Sequence, residues 1–148
     1  MKSTVRSTRI TLWANRIIFL TVTALLFFLP SLLGWYASIR LLSPGQEKVI
    51  VIAFYCCSVC ILFALFSMEK LLKNILNTAV FTAENVTLIR RICLCCACVA
   101  LICLPAGFVY PPLIFLTLIM GFLSLAVNVV CHVIQAAVLM REENDLTI

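Results

Sequence analysis

Residues 17–39 read IIFLTVTALLFFLPSLLGWYASI, an apolar run that contains no Asp, Glu, Lys or Arg. About 20 helical residues, rising 1.5 Å each, cross a hydrocarbon core of roughly 30 Å, so this run is long enough to span a bilayer. The run is also longer than the roughly 7–15-residue apolar core of a cleaved signal peptide, and we expect it to be retained. It therefore predicts a transmembrane helix.

Three further apolar runs follow and are equally free of charged residues. The chain of 148 residues is 64% hydrophobic and only 11% charged, whereas a soluble domain carries about 25% charged residues. Backbone groups in lipid must be paired within the segment, and the alternating strands of a barrel are absent. The sequence predicts an all-α, polytopic membrane protein, a single domain over 1–148, with helices at about 17–39, 49–68, 92–110 and 113–140.

The basic residues are distributed unevenly about these runs. Every Lys and Arg except Arg40 and Lys48 lies in the N-terminal segment 1–16, in the segment 69–91 or in the tail 141–148. The positive-inside rule therefore predicts that these three segments are cytoplasmic. The net charge of +5 is explained by cations beside lipid headgroups. Because no basic stripe is interleaved with aromatic residues, we expect no direct nucleic-acid binding.

The segment 81–91, FTAENVTLIRR, has the features of a helix start. Thr82 is a suitable N-cap, whose side chain would accept from the backbone N–H of Glu84 or Asn85. A carboxylate in the first turn also favours the positive end of the helix dipole. We expect the second and third helices to project into the cytoplasm as a hairpin over 69–91.

The tail 141–148, REENDLTI, carries the second polar surface on the same predicted side. Its acidic residues face the same compartment as the basic hairpin, so we hypothesise that the tail packs near it. The alternative is a simple capped helix start and a solvated tail, in which surface ion pairs contribute little. The candidate cytoplasmic interaction surface comprises Phe81, Thr82, Glu84, Asn85, Arg90, Arg91, Glu143, Asp145, Thr147 and Ile148.

The fourth run carries polar or small residues at helical spacing. They recur every three or four positions at Thr117, Gly121, Ser124, Asn128, His132 and Gln135. Polar atoms are costly in lipid, so we expect this stripe to face the interior of the helix bundle, with Gly121 allowing close approach of a neighbour. A ligand cavity or proton path around His132 is one interpretation, and interhelical hydrogen bonding is the other. The candidate interior polar stripe is Ser124, Asn128, His132 and Gln135.

Nine cysteines lie within the apolar runs rather than in exposed loops. The cysteines of CLCCAC, 93–98, point all around a helix, whereas Cys56 and Cys60 share a face. Small, apolar-tolerant residues suit helix packing, so we expect a structural role, with no metal site and no cofactor. No Ser/His/Asp order, HExxH or phosphate loop occurs, and no catalytic residue is predicted.

Proline and glycine are concentrated at the end of the third run. Pro105, Gly107 and Pro111–Pro112 predict that the helix breaks there and that a tight turn leads into the fourth helix.

Two short motifs carry a resemblance to a known family. They are a Phe-Thr-x-Glu-Asn element before the third span and an acidic tail, at Phe81, Thr82, Glu84 and Asn85, and at Glu143, Asp145, Thr147 and Ile148. With four spans in this order, the chain resembles the bacterial membrane family called domain of unknown function 2975. The cysteine richness is not part of that family's pattern.

The resemblance implies a multi-pass protein of the bacterial plasma membrane without an established activity. Genes of the family often lie beside a small helix-turn-helix regulator, which implies a sensor or regulatory membrane partner for a cytoplasmic DNA-binding protein. We expect a protein that is not an enzyme. A small homo-oligomeric transporter or channel subunit, with the polar face of the fourth helix lining the path, is the alternative, and a structural assembly factor is a third.

Overall fold

The computed structural model describes residues 2–40, 42–77 and 82–146. Within them the chain forms four α-helices and no strand: α1 (Lys2–Arg40), α2 (Pro44–Leu76), α3 (Ala83–Val109) and α4 (Pro112–Leu146). Each helix contains an apolar window long enough to cross a membrane. The prediction of an all-α polytopic membrane protein is confirmed.

The helices are longer than the apolar runs that predicted them. α1 begins at Lys2, fifteen residues before the first run, and α4 continues to Leu146. α2 likewise extends beyond Met68 to Leu76, because Leu, Lys and Glu are good helix formers and leave the extension amphipathic. In the described residues, the charged segments 2–16, 69–76, 83–91 and 141–146 are therefore helical extensions of the spans rather than loops.

Consecutive helices pack against one another in antiparallel pairs. α1 packs on α2, α2 on α3 and α3 on α4, and in the described ranges the backbones of α1 and α4 do not approach each other. We call the end at which α1 and α3 begin and α2 and α4 end the charged end. The opposite end, which carries Tyr36 and Tyr110, we call the tyrosine end.

The tyrosine end is held by caps and hydrogen bonds between helices. Ser43 caps α2 and forms a capping box with Gln46, and Pro44 occupies the first turn, where its missing N–H costs nothing. The Gln46 Nε2 donates to the carbonyl oxygen of Val109 at 3.3 Å, and the Tyr36 and Tyr110 hydroxyls hydrogen-bond. These contacts join the start of α2 and the end of α1 to the end of α3.

The predicted tight turn into the fourth helix is confirmed, since α3 ends at Val109 and α4 begins at Pro112. The prediction that Pro105 and Gly107 take part in breaking the third helix is wrong, because α3 continues through both to Val109. A proline removes one hydrogen bond, which a membrane helix tolerates when its neighbours re-satisfy the backbone. Gly107 instead serves packing, since a Cβ there would lie 2.6 Å from Cγ1 and 3.2 Å from the backbone nitrogen of Ile114. The missing side chain lets α4 approach α3 closely just after the turn.

Candidate functional sites at the charged end

The first turn of α3 is built as its sequence predicts. Thr82 has an extended backbone and its Oγ1 accepts from the backbone N–H of Asn85 at 3.4 Å, so its role as N-cap is confirmed. Phe81, Thr147, Ile148 and the side chain of Asp145 lie outside the described part of the chain, and nothing tests their assignment to an interaction surface.

Asn85 is the most deeply buried polar side chain among the described residues, with 1% of its surface exposed. The Asn74 Nδ2 donates to the Asn85 Oδ1 at 2.9 Å and also contacts the Glu84 Oε2 at 3.3 Å. A buried amide that lost this partner would carry an uncompensated desolvation cost. Asn85 therefore joins the two arms of the hairpin and does not face a partner from outside.

Glu84 faces outward from the same network. Its carboxylate lies 2.7 Å from the Lys70 Nζ, and both side chains are about half exposed, at 55% and 52%. The hydrogen bond from Lys70, followed by its charge, holds the pKa of the Glu84 carboxyl below its usual value. Exposed ion pairs contribute little to stability. Lys70 and Glu84 are therefore charged surface residues that solvent can reach.

A second charged group joins α1 to α2. The Glu69 Oε1 lies 3.2 Å from the Arg16 Nη2 and 3.0 Å from the Lys73 Nζ. One turn closer to the tyrosine end, the buried Asn15 donates from Nδ2 to the carbonyl oxygen of Leu65 at 3.1 Å. Because Lys70, Lys73 and Asn74 lie within about one turn of α2, the two networks are adjacent on that helix, and together they connect three of the four helices.

Arg90 and Arg91 are exposed and make no ion pair with any residue in the described ranges. That they lie beside lipid headgroups stays a prediction. In the tail, Arg141 and Glu143 are also exposed. That the acidic tail packs against the hairpin stays a prediction.

The polar stripe of α4 is divided between two environments. The Ser124 Oγ donates to the carbonyl oxygen of Cys93 at 3.1 Å, and the Cys93 Sγ donates to the carbonyl oxygen of Ser124 at 3.3 Å. Gln135 is half-buried, whereas Asn128 and His132 are exposed, and a Cβ at Gly121 would meet no atom within 4 Å. The single chain therefore does not place Asn128 and His132 in its interior, and Gly121 does not mediate a close contact.

The reason for this division is the face by which α4 packs. Ser124, Cys131 and Val138, seven residues apart, are buried or half-buried, and the Cys131 Sγ contacts the carbonyl oxygen of Val86 at 3.7 Å. In an antiparallel pair these contacts place His132 level with the first turn of α3. His132 is thus beyond Arg90, at the charged end rather than in the middle of the apolar layer.

The cysteines contribute to packing between helices. The Sγ atoms of the buried Cys57 and Cys103 lie 3.6 Å apart, and with Val99 they form the core between α2 and α3. The described ranges contain no group of three or more His, Cys, Asp or Glu side chains placed to hold a metal ion. An apolar cavity of about 170 Å³ adjoins this core and is lined by residues of all four helices.

The sequence identified Thr82 as the N-cap of α3 but did not show which residues of α2 contact Glu84 and Asn85. Asn74 and Lys70 contact Asn85 and Glu84, and their spacing of four places them on one face of α2. That spacing could have indicated a shared face on α2. The register between α2 and α3 was still needed to show that this face contacts Glu84 and Asn85. The sequence also did not predict that Cys57 contacts Cys103, because it showed only which cysteines share a face of one helix, as Cys56 and Cys60 do.

Four apolar spans, antiparallel packing and a charged end define a multi-pass helical membrane protein. The chain matches the family described as "Protein of unknown function (DUF2975)" over residues 5–148, and it belongs to that family. This confirms the resemblance carried by the two motifs. No curated protein matches the chain. No solved structure matches it either.

Proposed function

We propose that this protein is a non-enzymatic membrane partner that presents a fixed charged end to a cytoplasmic DNA-binding regulator in a bacterium. The proposal places both termini and the α2–α3 hairpin in the cytoplasm, supported by the uneven distribution of Lys and Arg. The observation that carries it is the network of Asn74, Asn85, Glu84 and Lys70. The hydrogen bond from Asn74 to the buried Asn85 joins the two arms of the hairpin, so the hairpin presents its outer charges in one arrangement, as recognition requires.

The docking surface is narrower than the sequence suggested. Asn85 is buried, so its place is within the hairpin. The exposed charges that a partner would contact are Lys70, Glu84, Arg90 and Arg91. Complementary charges between partners favour rapid and selective association.

An exchange of charges tests docking without removing the ion pair. In the doubly substituted chain Lys70→Glu with Glu84→Lys, the pair is retained while its polarity towards a partner is reversed. We expect the DNA-binding protein that co-purifies with the wild-type chain, identified by mass spectrometry, to be lost. The matched control is Glu47→Lys with Lys48→Glu, which exchanges neighbouring charges at the tyrosine end and should leave co-purification unchanged.

Three outcomes would contradict the proposal. The first is retention of the partner by the Lys70/Glu84 exchange, and the second is its loss from both exchanged chains. The third is that the wild-type chain yields no DNA-binding protein from its native membranes.

A small oligomeric transporter or channel subunit is the second candidate. The exposure of Asn128 and His132 favours it, because a path between copies requires polar groups that the single chain leaves uncovered. We expect replacement of Asn128, His132 and Gln135 by Ala or Leu to reduce solute uptake or efflux if this candidate is correct. Unchanged transport in the triple variant would eliminate it.

A further inference from the structure

The cavity beside the Cys57–Cys103 core is walled by all four helices. Its volume is about 170 Å³, and we call it the four-helix cavity. A neighbouring hollow of about 210 Å³ is less enclosed and has no residue of α1 in its wall, and a third, of about 440 Å³, is an open groove lined by α1 alone. Of these three, only the four-helix cavity lets one bound molecule touch every helix. Its wall includes Leu25 of α1, Ala53 and Cys57 of α2, Cys103 of α3, and Leu116 and Met120 of α4.

The four-helix cavity opens at the seam between α1 and α4. In the described ranges α1 packs only on α2 and α4 only on α3, so no backbone contact closes this seam. Leu25 of α1 and Leu116 of α4 line the cavity and are also 39% and 37% exposed, which places them at its rim. All the lining residues belong to the four apolar spans. A molecule dissolved in the bilayer therefore reaches the cavity without crossing a charged surface.

The wall determines which chemistry the four-helix cavity accepts. It contains no charged side chain, and its polar groups already have partners. The Ser58 Oγ donates to the carbonyl oxygen of Phe54 at 2.7 Å, and the Cys57 and Cys103 Sγ atoms contact each other. A buried water needs about two to four polar partners, and a polar ligand would lose its hydration here without replacement. The cavity therefore selects an uncharged, apolar occupant.

We propose that the four-helix cavity binds one small uncharged apolar molecule, about the size of a single six-membered ring, which enters it from the bilayer. The volume supports this size, because a dry cavity of about 150 Å³ with a wall of aliphatic and aromatic side chains binds benzene. An acyl chain is much longer and would place only its end inside. A bound ring would contact α1 and α4 together and so connect two helices that do not otherwise pack. This site does not depend on the docking of a regulator.

Photolabelling of the full chain in lipid nanodiscs tests the site. The probe is a phenyl(trifluoromethyl)diazirine, an uncharged single-ring molecule. Light expels N₂ from it, and the resulting carbene inserts into a neighbouring C–H or S–H bond. We expect labelling of Cys57, Cys103 and Met120, mapped by mass spectrometry, to saturate as the probe concentration rises. Excess toluene should lower this labelling about tenfold, because the two molecules compete for one site.

Labelling from lipid provides the internal reference. Phe63 and Phe122 are 65% and 75% exposed and lie outside the cavity. Their labelling should rise in proportion to the probe and should not respond to toluene.

Two substitutions should remove the site. Ala53→Leu fills the interior of the cavity, and Leu25→Trp fills its rim, so both should abolish the saturable labelling. The matched control is Leu20→Trp, which places the same ring on the same helix at a position that is 68% exposed and outside the cavity, and it should label as the wild type does. Because overpacking at the buried Ala53 can disturb the fold, the wild-type competition and the half-exposed Leu25→Trp keep the test decisive.

Four results would overturn the proposal. The first is labelling at Cys57, Cys103 and Met120 that is absent or does not saturate. The second is equal competition by toluene at Phe63. The third is the same saturable labelling in Leu25→Trp as in Leu20→Trp, or its loss from both. The fourth is competition by hexadecane as strong as that by toluene, which would identify the occupant as an acyl chain.

Discussion

Two asparagines near the charged end show how differently this chain treats the same side chain. Asn85 on α3 is buried and accepts a hydrogen bond from Asn74, whereas Asn128 on α4 is exposed. α3 has a helix on each side and α4 has only one, so a polar group on α3 is more often enclosed. The same contrast separates Gly107, where an added Cβ would lie 2.6 Å from the Cγ1 of Ile114, from Gly121, where an added Cβ would meet no atom within 4 Å. Chemical type alone therefore does not distinguish structural from surface roles here.

The largest expected effect is at the buried amide. Asn85→Leu removes the acceptor of the half-buried Asn74 amide, which keeps only its longer contact with the Glu84 Oε2, and this should lower the free energy of unfolding by about 2–3 kcal/mol. Thermal unfolding in detergent, followed with a thiol-reactive dye that reports exposure of the buried cysteines, measures this loss.

Asn128→Leu is the matched control for this substitution. We expect it to stay within about 0.5 kcal/mol of the wild type, because the Asn128 side chain is exposed and has no hydrogen-bond partner in the described ranges. If Asn85→Leu and Asn128→Leu lowered the free energy of unfolding equally, burial would not determine how much each asparagine contributes to stability.

An intermediate effect is expected where α3 and α4 approach most closely. Gly107→Ala must displace Ile114, because the new Cβ would lie 2.6 Å from its Cγ1, and we expect a loss of about 1–2 kcal/mol. Gly121→Ala meets no neighbour and should be neutral or stabilising by up to about 1 kcal/mol, since Ala favours helix more than Gly does. The same unfolding measurement compares the two. Stabilisation by both alanines would place the two helices further apart than described.

The sequence was sufficient for the number of spans, the all-α class and the Thr82 cap, because each depends on local composition or on a few adjacent residues. It was not sufficient for Asn85, whose burial depends on the register between α2 and α3. It also misled at the α4 stripe, since periodicity shows which residues share a face but not which neighbour covers that face. Pro105 and Gly107 lie inside α3 because the helix-breaking rule applies more strictly in water than between packed membrane helices.

The smallest expected effect compares two neighbours on α2 that share Glu84 as a partner. Lys70→Ala removes only an exposed ion pair, so the Tm at pH 7 should stay close to that of the wild type, whereas Asn74→Ala should lower it clearly. The pKa of Glu84 is lowered from its usual value of 4.5. The stabilisation by the Lys70–Glu84 ion pair is therefore fully present above pH 4.5 and is lost as the pH falls through the lowered pKa. Any difference between Lys70→Ala and the wild type should therefore disappear in acid, while the Asn74→Ala difference persists, as melting curves recorded across this range will show. If Lys70→Ala proved the more damaging at pH 7, the ion pair rather than the buried amide would hold the hairpin together.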